Sequence, residues 1–320
     1  MTAISNEILI APTIFKRVVK LMGNRFEISV VADEDEEVWA ANCIETAIGE
    51  IQRIETLLTT YNEHSQTNLI NRNAGIAPVK VDRELIDLIK RAAKISELTQ
   101  GAFDITYGSI DKRLWNFDNT MTALPTKAIA KRLVRLINYK NVIVDTEAQT
   151  VFLKEKGMRL GFGGIGKGYA AEKAKYILKQ NGVESGIVNA AGDLSTWGYQ
   201  PNGKPWTIGV ADPNKTRDVF SWMNITNTSV ATSGNYEKFV MIDNVKYSHT
   251  IDPHTGMPVH GIKCVTIITG NAEIADALAT PVLIMGIEVG INMINQLKGV
   301  GCIIIDDNDK IYTSANINIL

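Results

Sequence analysis

From Val142 to Ile242 the β-like apolar stretches are only three to five residues long: Val142-Ile143-Val144, Val151-Phe152-Leu153, Gly186-Ile187-Val188, Trp206-Thr207-Ile208-Gly209-Val210 and Phe239-Val240-Met241-Ile242. Stretches this short suit the strands of a sheet and not core helices. Helical spacing interrupts them at Gly168 to Gln180, with Gly182 as a stop, and again from Glu273 to Met285. Strands in antiparallel-looking pairs with irregularly interleaved helices predict an α+β fold of mixed, largely antiparallel sheets, and not a doubly wound parallel sheet.

The N-terminal third fits this class. Ile14 to Leu21 and Arg25 to Val31 read as a hairpin turning at Gly23-Asn24. Between Glu37 and Leu58, the residues Ile44, Ile48, Ile51, Ile54, Leu57 and Leu58 form a helical stripe. A second helix is expected from an Asp82 cap to a stop near Gly101. The polar stretch Tyr61 to Gly75 reads as a loop, and Gln200 to Pro205 as a surface loop. With no long polar linker and no internal repeat, a single domain over residues 1–320 is expected.

Composition narrows the partners. Lys+Arg 33 against Asp+Glu 35 gives a net charge of -2, and no basic cluster stands ready to neutralise a run of phosphates, which argues against nucleic acid. No run approaches the ~18 apolar residues of a membrane span, and the first residues mix charge too finely for a signal sequence. A cytoplasmic location is therefore expected for the chain as given, and a periplasmic or membrane-anchored one if a leader has been removed. Cys43, Cys264 and Cys302 sit in apolar surroundings without a CxxC spacing and read as packing residues.

Four segments depart from core-building sequence. Gly161-Phe162-Gly163-Gly164-Ile165-Gly166-Lys167-Gly168 nearly spells a phosphate-binding P-loop but ends in Gly168, without the hydroxyl that magnesium needs. Its glycines still allow close backbone approach to a pyrophosphate at a helix start, or a tight helix–sheet turn. Asn189-Ala190-Ala191-Gly192-Asp193 reads as a turn with an Asx-type bond. Tyr247 to Pro258 brings His249 and His254 beside Asp252; a histidine here suits proton transfer or a structural His–Asp pair, and the intervening proline disfavours a helical zinc pair. Asp276 and Thr280 lie one helical turn apart in an apolar helix, a spacing of oxygen ligands that suits magnesium, with a capping or solvent-facing role as the alternative.

Taken in order, these segments together with Ala231-Thr232-Ser233-Gly234-Asn235-Tyr236 and Asp276-Ala277-Leu278-Ala279-Thr280 resemble the ApbE family of FAD:protein FMN transferases, over about residues 20 to 286. Upstream, Met22-Gly23, Tyr61-Asn62 through Asn71, and Gly101 to Thr106 also look like family sequence. The resemblance implies transfer of the FMN moiety of FAD to a Ser or Thr hydroxyl of another protein, with release of AMP. It implies Mg2+ held by Asp276 and Thr280 with main-chain oxygens of Gly164 and Ala279, and His249 as the base. Met22, Tyr61, Ala102, Phe103, Asp104 and Lys167 fall on positions that line the FAD site, as does Gly161, where the family usually has an acidic residue. The acceptor would carry an Asp-Ser-Gly-Ala-Thr-like segment, as in respiratory electron-transfer subunits. An FAD pyrophosphatase and a non-catalytic flavin carrier are the competing readings; the base and metal ligands argue against the carrier.

Overall fold

Strands β1 (Pro12–Leu21) and β2 (Asn24–Asp33) form the expected antiparallel hairpin, in register from Pro12↔Asp33 to Leu21↔Asn24. The structure is a computed structural model and describes residues 11–111, 115, 117, 121–211, 219–234 and 239–317. Met22 and Gly23 make the turn, both at positive φ (50° and 75°), the geometry that matches the twist of the flanking strands. The expected turn at Gly23-Asn24 is thus one residue early: Asn24 begins β2, and its side-chain amide closes the turn on the Met22 carbonyl at 2.9 Å.

Helix α1 (Glu37–Leu58) buries its predicted stripe against the hairpin. The polar stretch after it is not all loop, because α2 (Gln66–Arg72) lies within it. Ser65 Oγ caps this helix at Asn68 N (3.1 Å), and the buried Thr67 and Asn68 side chains donate to carbonyls of Leu57, Thr60 and Asn62. Their hydrogen-bonding capacity is spent on the preceding chain, so polar residues fold into a helix here. After β3 (Val79–Lys80), α3 (Arg83–Leu98) starts at Asp82 as expected, but the Asp82 carboxylate does not cap it; it accepts from Gln66 Nε2 at 2.5 Å while Asp82 N donates to Gln66 Oε1. A short helix α4 (Lys127–Leu133) precedes β4 (Val142–Asp145) and β5 (Thr150–Leu153), which join β3 in a small antiparallel sheet.

The remaining elements are α5 (Gly166–Gln180), β6 (Gly186–Ala190), β7 (Asp193–Trp197), β8 (Trp206–Ala211), β9 (Val219–Ile225), β10 (Ser229–Gly234), β11 (Phe239–Ile242), β12 (Val245–Ser248), β13 (Ile262–Thr269), α6 (Ala272–Met285), α7 (Ile287–Asn295), β14 (Gly301–Asp306) and β15 (Ile311–Thr313). An eight-stranded sheet runs β1-β2-β6-β7-β10-β13-β14-β15 with every neighbouring pair antiparallel, while β8-β9 and β11-β12 are separate ribbons. Helix α1 packs on α5, α5 on α6 and α6 on α7, each also touching the sheet, so the helices form a layer over it. The three cysteines are buried, and burial pushes the Cys302 thiol up to about 12. Among the described residues no helix is long and apolar enough to cross a membrane.

The closest point of the helix layer is Gly168, where a Cβ would stand 2.1 Å from the Ala272 carbonyl oxygen and 2.8 Å from Asp276 Cβ. Gly49, exposed within α1, has nothing within 4 Å of its Cβ position. The same substitution should therefore act in opposite directions. Gly168→Ala is expected to cost about 3 kcal/mol or more through overpacking, and Gly49→Ala to stabilise by about 0.5–1 kcal/mol through helix propensity, both read by denaturant unfolding.

Candidate active site

The glycine-rich segment is anchored at its entry. Asn71 of α2 exchanges two hydrogen bonds with the backbone of Leu160, and Gly161 N donates to the Ile105 carbonyl at 2.8 Å. The chain then folds back, with Ile165 N and Gly166 N both donating to the Phe162 carbonyl, and α5 begins at Gly166, two residues before the expected start. Glycines hide a first turn from propensity. Lys167, in that turn, reaches Asp193 in a direct hydrogen bond and lies 3.5 Å from Asp276 Oδ1. Asp193 opens β7 after a turn at Ala191 (φ 56°) and Gly192 (φ 100°), with the expected Asx-type bond from Gly192 N to Asn189 Oδ1. On α6, Asp276 Oδ2 accepts from Gly168 N at 2.9 Å.

Three ionisable groups from three elements thus meet where Asp193 and Asp276 are only 4% and 6% exposed. Burial pushes both carboxyls up; the neighbouring Asp276 charge adds to this at Asp193, which reaches about 7 against the pull of Lys167. Burial alone would lower the Lys167 ammonium, yet Asp276 and Asp193 hold it above the ordinary lysine range. Two carboxylates against one ammonium leave a net negative charge in a dry place when all three ionise.

The neighbouring donors are oxygen. Thr280 follows Asp276 by one turn, its hydroxyl 3.2 Å from Ser233 Oγ on β10, and Ala279 is buried in the same turn. Pro281 has no N–H, so the Ala277 carbonyl lacks its helical partner. Among the described residues no group of three or more His, Cys, Asp or Glu side chains is placed to hold a metal. A carboxylate, a hydroxyl and carbonyl oxygens beside uncompensated negative charge fit a hard cation such as magnesium, which keeps several ligands for water and phosphate, and fit zinc poorly.

Around this cluster, Met22 and the glycine segment approach each other: a Cβ on Gly166 would lie 3.6 Å from Met22 Cε, and one on Gly164 3.6 Å from Phe103 Cε2. Ala102 and Phe103 are buried. Asp104 accepts from Thr106 N, Thr106 Oγ1 and Tyr139 N, so its carboxylate shapes its own segment; burial raises its pKa against those bonds. Tyr61 is 98% exposed on the turn before α2. Gly161 has negative φ and only Gly108 Cα, at 4.0 Å, near its Cβ position, so packing does not exclude the family's acidic residue there.

His249 is exposed, one residue past β12, on a loop fastened at both ends: Ser248 N donates to Val259 O, and Val259 N to Thr250 O. Asp252 organises the loop tip by accepting from His254 N and Thr255 Oγ1. His254 bridges from Asp252 Oδ1 (Nδ1, 3.0 Å) to the Gln100 carbonyl (Nε2, 2.8 Å), tying the His249 loop to the segment that carries Ala102 and Phe103. The structure adds Asp193 and Ser233 to the residues singled out from sequence. Their signals, an acid closing a small-residue turn and a serine within Ala231 to Tyr236, were visible, but their meeting with Lys167 and Thr280 was not.

The sequence profile of the ApbE family matches residues 22–304. The chain belongs to the ApbE family. It is 31% identical to the FAD:protein FMN transferase of Treponema pallidum over 88% of this chain and 81% of that protein, and 32% identical to one from Klebsiella pneumoniae over 83% and 82%. The crystal structure of the ApbE protein from Thermotoga maritima superposes with a TM-score of 0.83 at 30% identity, covering 95% of this chain and 97% of that one. The flavin transferase ApbE of Vibrio cholerae shares the fold at 23% identity, with a TM-score of 0.81 over 95% and 98% of the two chains.

Because Asp193 and Asp276 hold protons in the folded chain that the unfolded chain has released, their contribution to stability is full below the ordinary carboxylate range. At Asp193 it is lost as pH rises through about 7, and at Asp276 as pH rises above the ordinary carboxylate range. Lys167→Met removes the counter-charge and should steepen this loss. The expected cost is about 3–5 kcal/mol at pH 8, and clearly less at pH 5, measured by urea unfolding at each pH.

Proposed function

We propose that this chain, a flavin transferase of the ApbE family, moves the FMN moiety of FAD onto a Ser or Thr hydroxyl of another protein and releases AMP, with magnesium as cofactor. The observation that carries the reading is the convergence of Lys167, Asp193 and Asp276 at the start of α5, with the Thr280 hydroxyl one turn further along α6. The names of the relatives, FAD:protein FMN transferases, support the same chemistry.

In this reading the FAD pyrophosphate lies beside the start of α5, where Gly166 N and Gly168 N are already bonded to the Phe162 carbonyl and Asp276 and Lys167 is paired with two carboxylates, so magnesium would be needed to offset the negative charge there. Met22, Ala102, Phe103 and Tyr61 offer apolar and aromatic surface to the flavin nucleotide. Asp276 and Thr280, with main-chain oxygens of Gly164 and Ala279, would hold magnesium, which when bound supplies Lewis acidity toward the phosphate charge. His249, exposed to an incoming protein, takes the proton of the acceptor hydroxyl as its oxygen bonds to the FMN phosphorus. The bond from that phosphorus to the bridging oxygen breaks, and AMP leaves with the electron pair. The acceptor is a segment of the Asp-Ser-Gly-Ala-Thr type in a respiratory electron-transfer subunit.

Incubation with FAD, magnesium and a peptide of that type, followed by mass spectrometry of the peptide and assay of AMP, tests the proposal. A peptide that gains FMN as AMP appears supports transfer. AMP with free FMN and an unmodified peptide means water is the acceptor and the chain is an FAD pyrophosphatase; if no AMP and no FMN form, the proposed chemistry is contradicted and a flavin carrier remains. His249→Ala is expected to slow transfer by about 100-fold or more, the scale of general base catalysis. Asp276→Ala should abolish magnesium-dependent turnover while circular dichroism shows the fold intact.

A further inference from the structure

A single carboxylate oxygen joins α5, β7 and α6, which carry Lys167, Asp193, Asp276 and Thr280, to β10, whose Ser233 touches Thr280. Glu172 Oε1, on α5, accepts from Ser195 Oγ on β7 (2.8 Å), from Ser229 Oγ on β10 (3.2 Å) and from Ala272 N at the start of α6 (2.8 Å). Ser195 and Ser229 are directly opposite in the β7–β10 ladder, fully buried, with hydroxyls 2.8 Å apart. Lys175 Nζ lies 3.1 Å from Ser195 Oγ and 3.6 Å from Glu172 Oε1, so the charge of the hub is countered within α5.

Each contact is a short rigid step from a working residue. Lys167 is on the same helix as Glu172. Ser195 is two residues beyond Asp193 on one strand, so both side chains leave the same face toward the helix layer. Ser229 shares β10 with Ser233, which touches Thr280. Ala272 lies one helical turn before Asp276. Asn271 already spends its side chain capping Ile274 N at 3.0 Å, so the Ala272 N–H depends on Glu172 for its acceptor. A negative group at this helix start is also favoured by the helix dipole.

We propose that Glu172 is a positioning residue for the transfer reaction. It fixes the register of α5, β7, β10 and α6, and thereby the mutual placement of Lys167, Asp193, Asp276 and Thr280. The inference rests on the functional reading above. Removing the hub leaves a buried N–H without an acceptor and two hydroxyls bonded only to each other and Lys175; contacts made directly to metal ligands typically change metal affinity or activity by about 10–100-fold, which sets the scale for a residue that places the elements carrying those ligands.

The test uses the full chain, with manganese as probe followed by electron paramagnetic resonance, and FMN transfer measured in parallel well below the thermal midpoint of each variant. Glu172→Gln keeps an oxygen that can accept all three bonds and should stay within about threefold of wild type in both assays. Glu172→Ala should weaken manganese binding and lower kcat by about 10–100-fold, with KM for FAD little changed. Folded Glu172→Ala with wild-type affinity and kcat would overturn the proposal. If that variant fails to fold, Ser195→Ala/Ser229→Ala, which keeps the Ala272 bond, decides: a fall in manganese affinity of threefold or more supports the proposal and an unchanged affinity overturns it. Wild-type chain that binds manganese but transfers no FMN would defeat the functional reading, while the affinity arm still judges Glu172.

Discussion

Two carboxyl groups, Asp193 and Asp276, are buried against one ammonium, Lys167, and their desolvation dictates much of what surrounds them. Charges out of water persist only when paired and hydrogen-bonded. The pairing brings the start of α5, the end of the β6–β7 turn and the middle of α6 into one place. That approach is possible only because Gly168 lets α6 lie against α5 and turns its own N–H onto Asp276. Gly168 of this segment therefore serves packing. It cannot supply the hydroxyl of a P-loop, since any side chain there would strike the Ala272 carbonyl.

The arrangement separates a rigid half from an accessible one. The Lys167, Asp193, Asp276 and Thr280 side chains are set by helices and by central strands of the eight-stranded sheet. His249 belongs to an exposed loop that would meet an incoming protein hydroxyl. His254 and Asp252 stop that loop from being independent, by fastening it to the Gln100 carbonyl beside Ala102 and Phe103. The proposed transfer would use both properties: fixed groups for the pyrophosphate, and a base that an external chain can reach.

The sequence made the local elements legible where a single periodicity ruled. The stripe of α1, the extended segments of the β1–β2 hairpin and the runs at Val142, Val151 and Gly186 all became the elements they suggested. It misled where polar side chains serve the backbone: Thr67 and Asn68 look like loop residues because their capacity to bond Leu57, Thr60 and Asn62 is not visible in one dimension. Asp82 looked like a cap for the same reason, and its true partner Gln66 lies in an unrecognised helix. Asp276 and Thr280 were readable because helical spacing places them on one face. Asp193 entered the site only through the antiparallel order β6-β7-β10, a long-range fact that no short segment carries.

Lys167 holds the Asp193–Asp276 pair in a dry site. Carboxyl 13C NMR of the metal-free chain, with Asp193 assigned through Asp193→Asn, measures this directly. A titration step near 7 from Asp193, lost in the variant, is expected. Two independent steps near the ordinary aspartate value of about 3.9 would mean that the carboxyls are solvated and apart, and would contradict it.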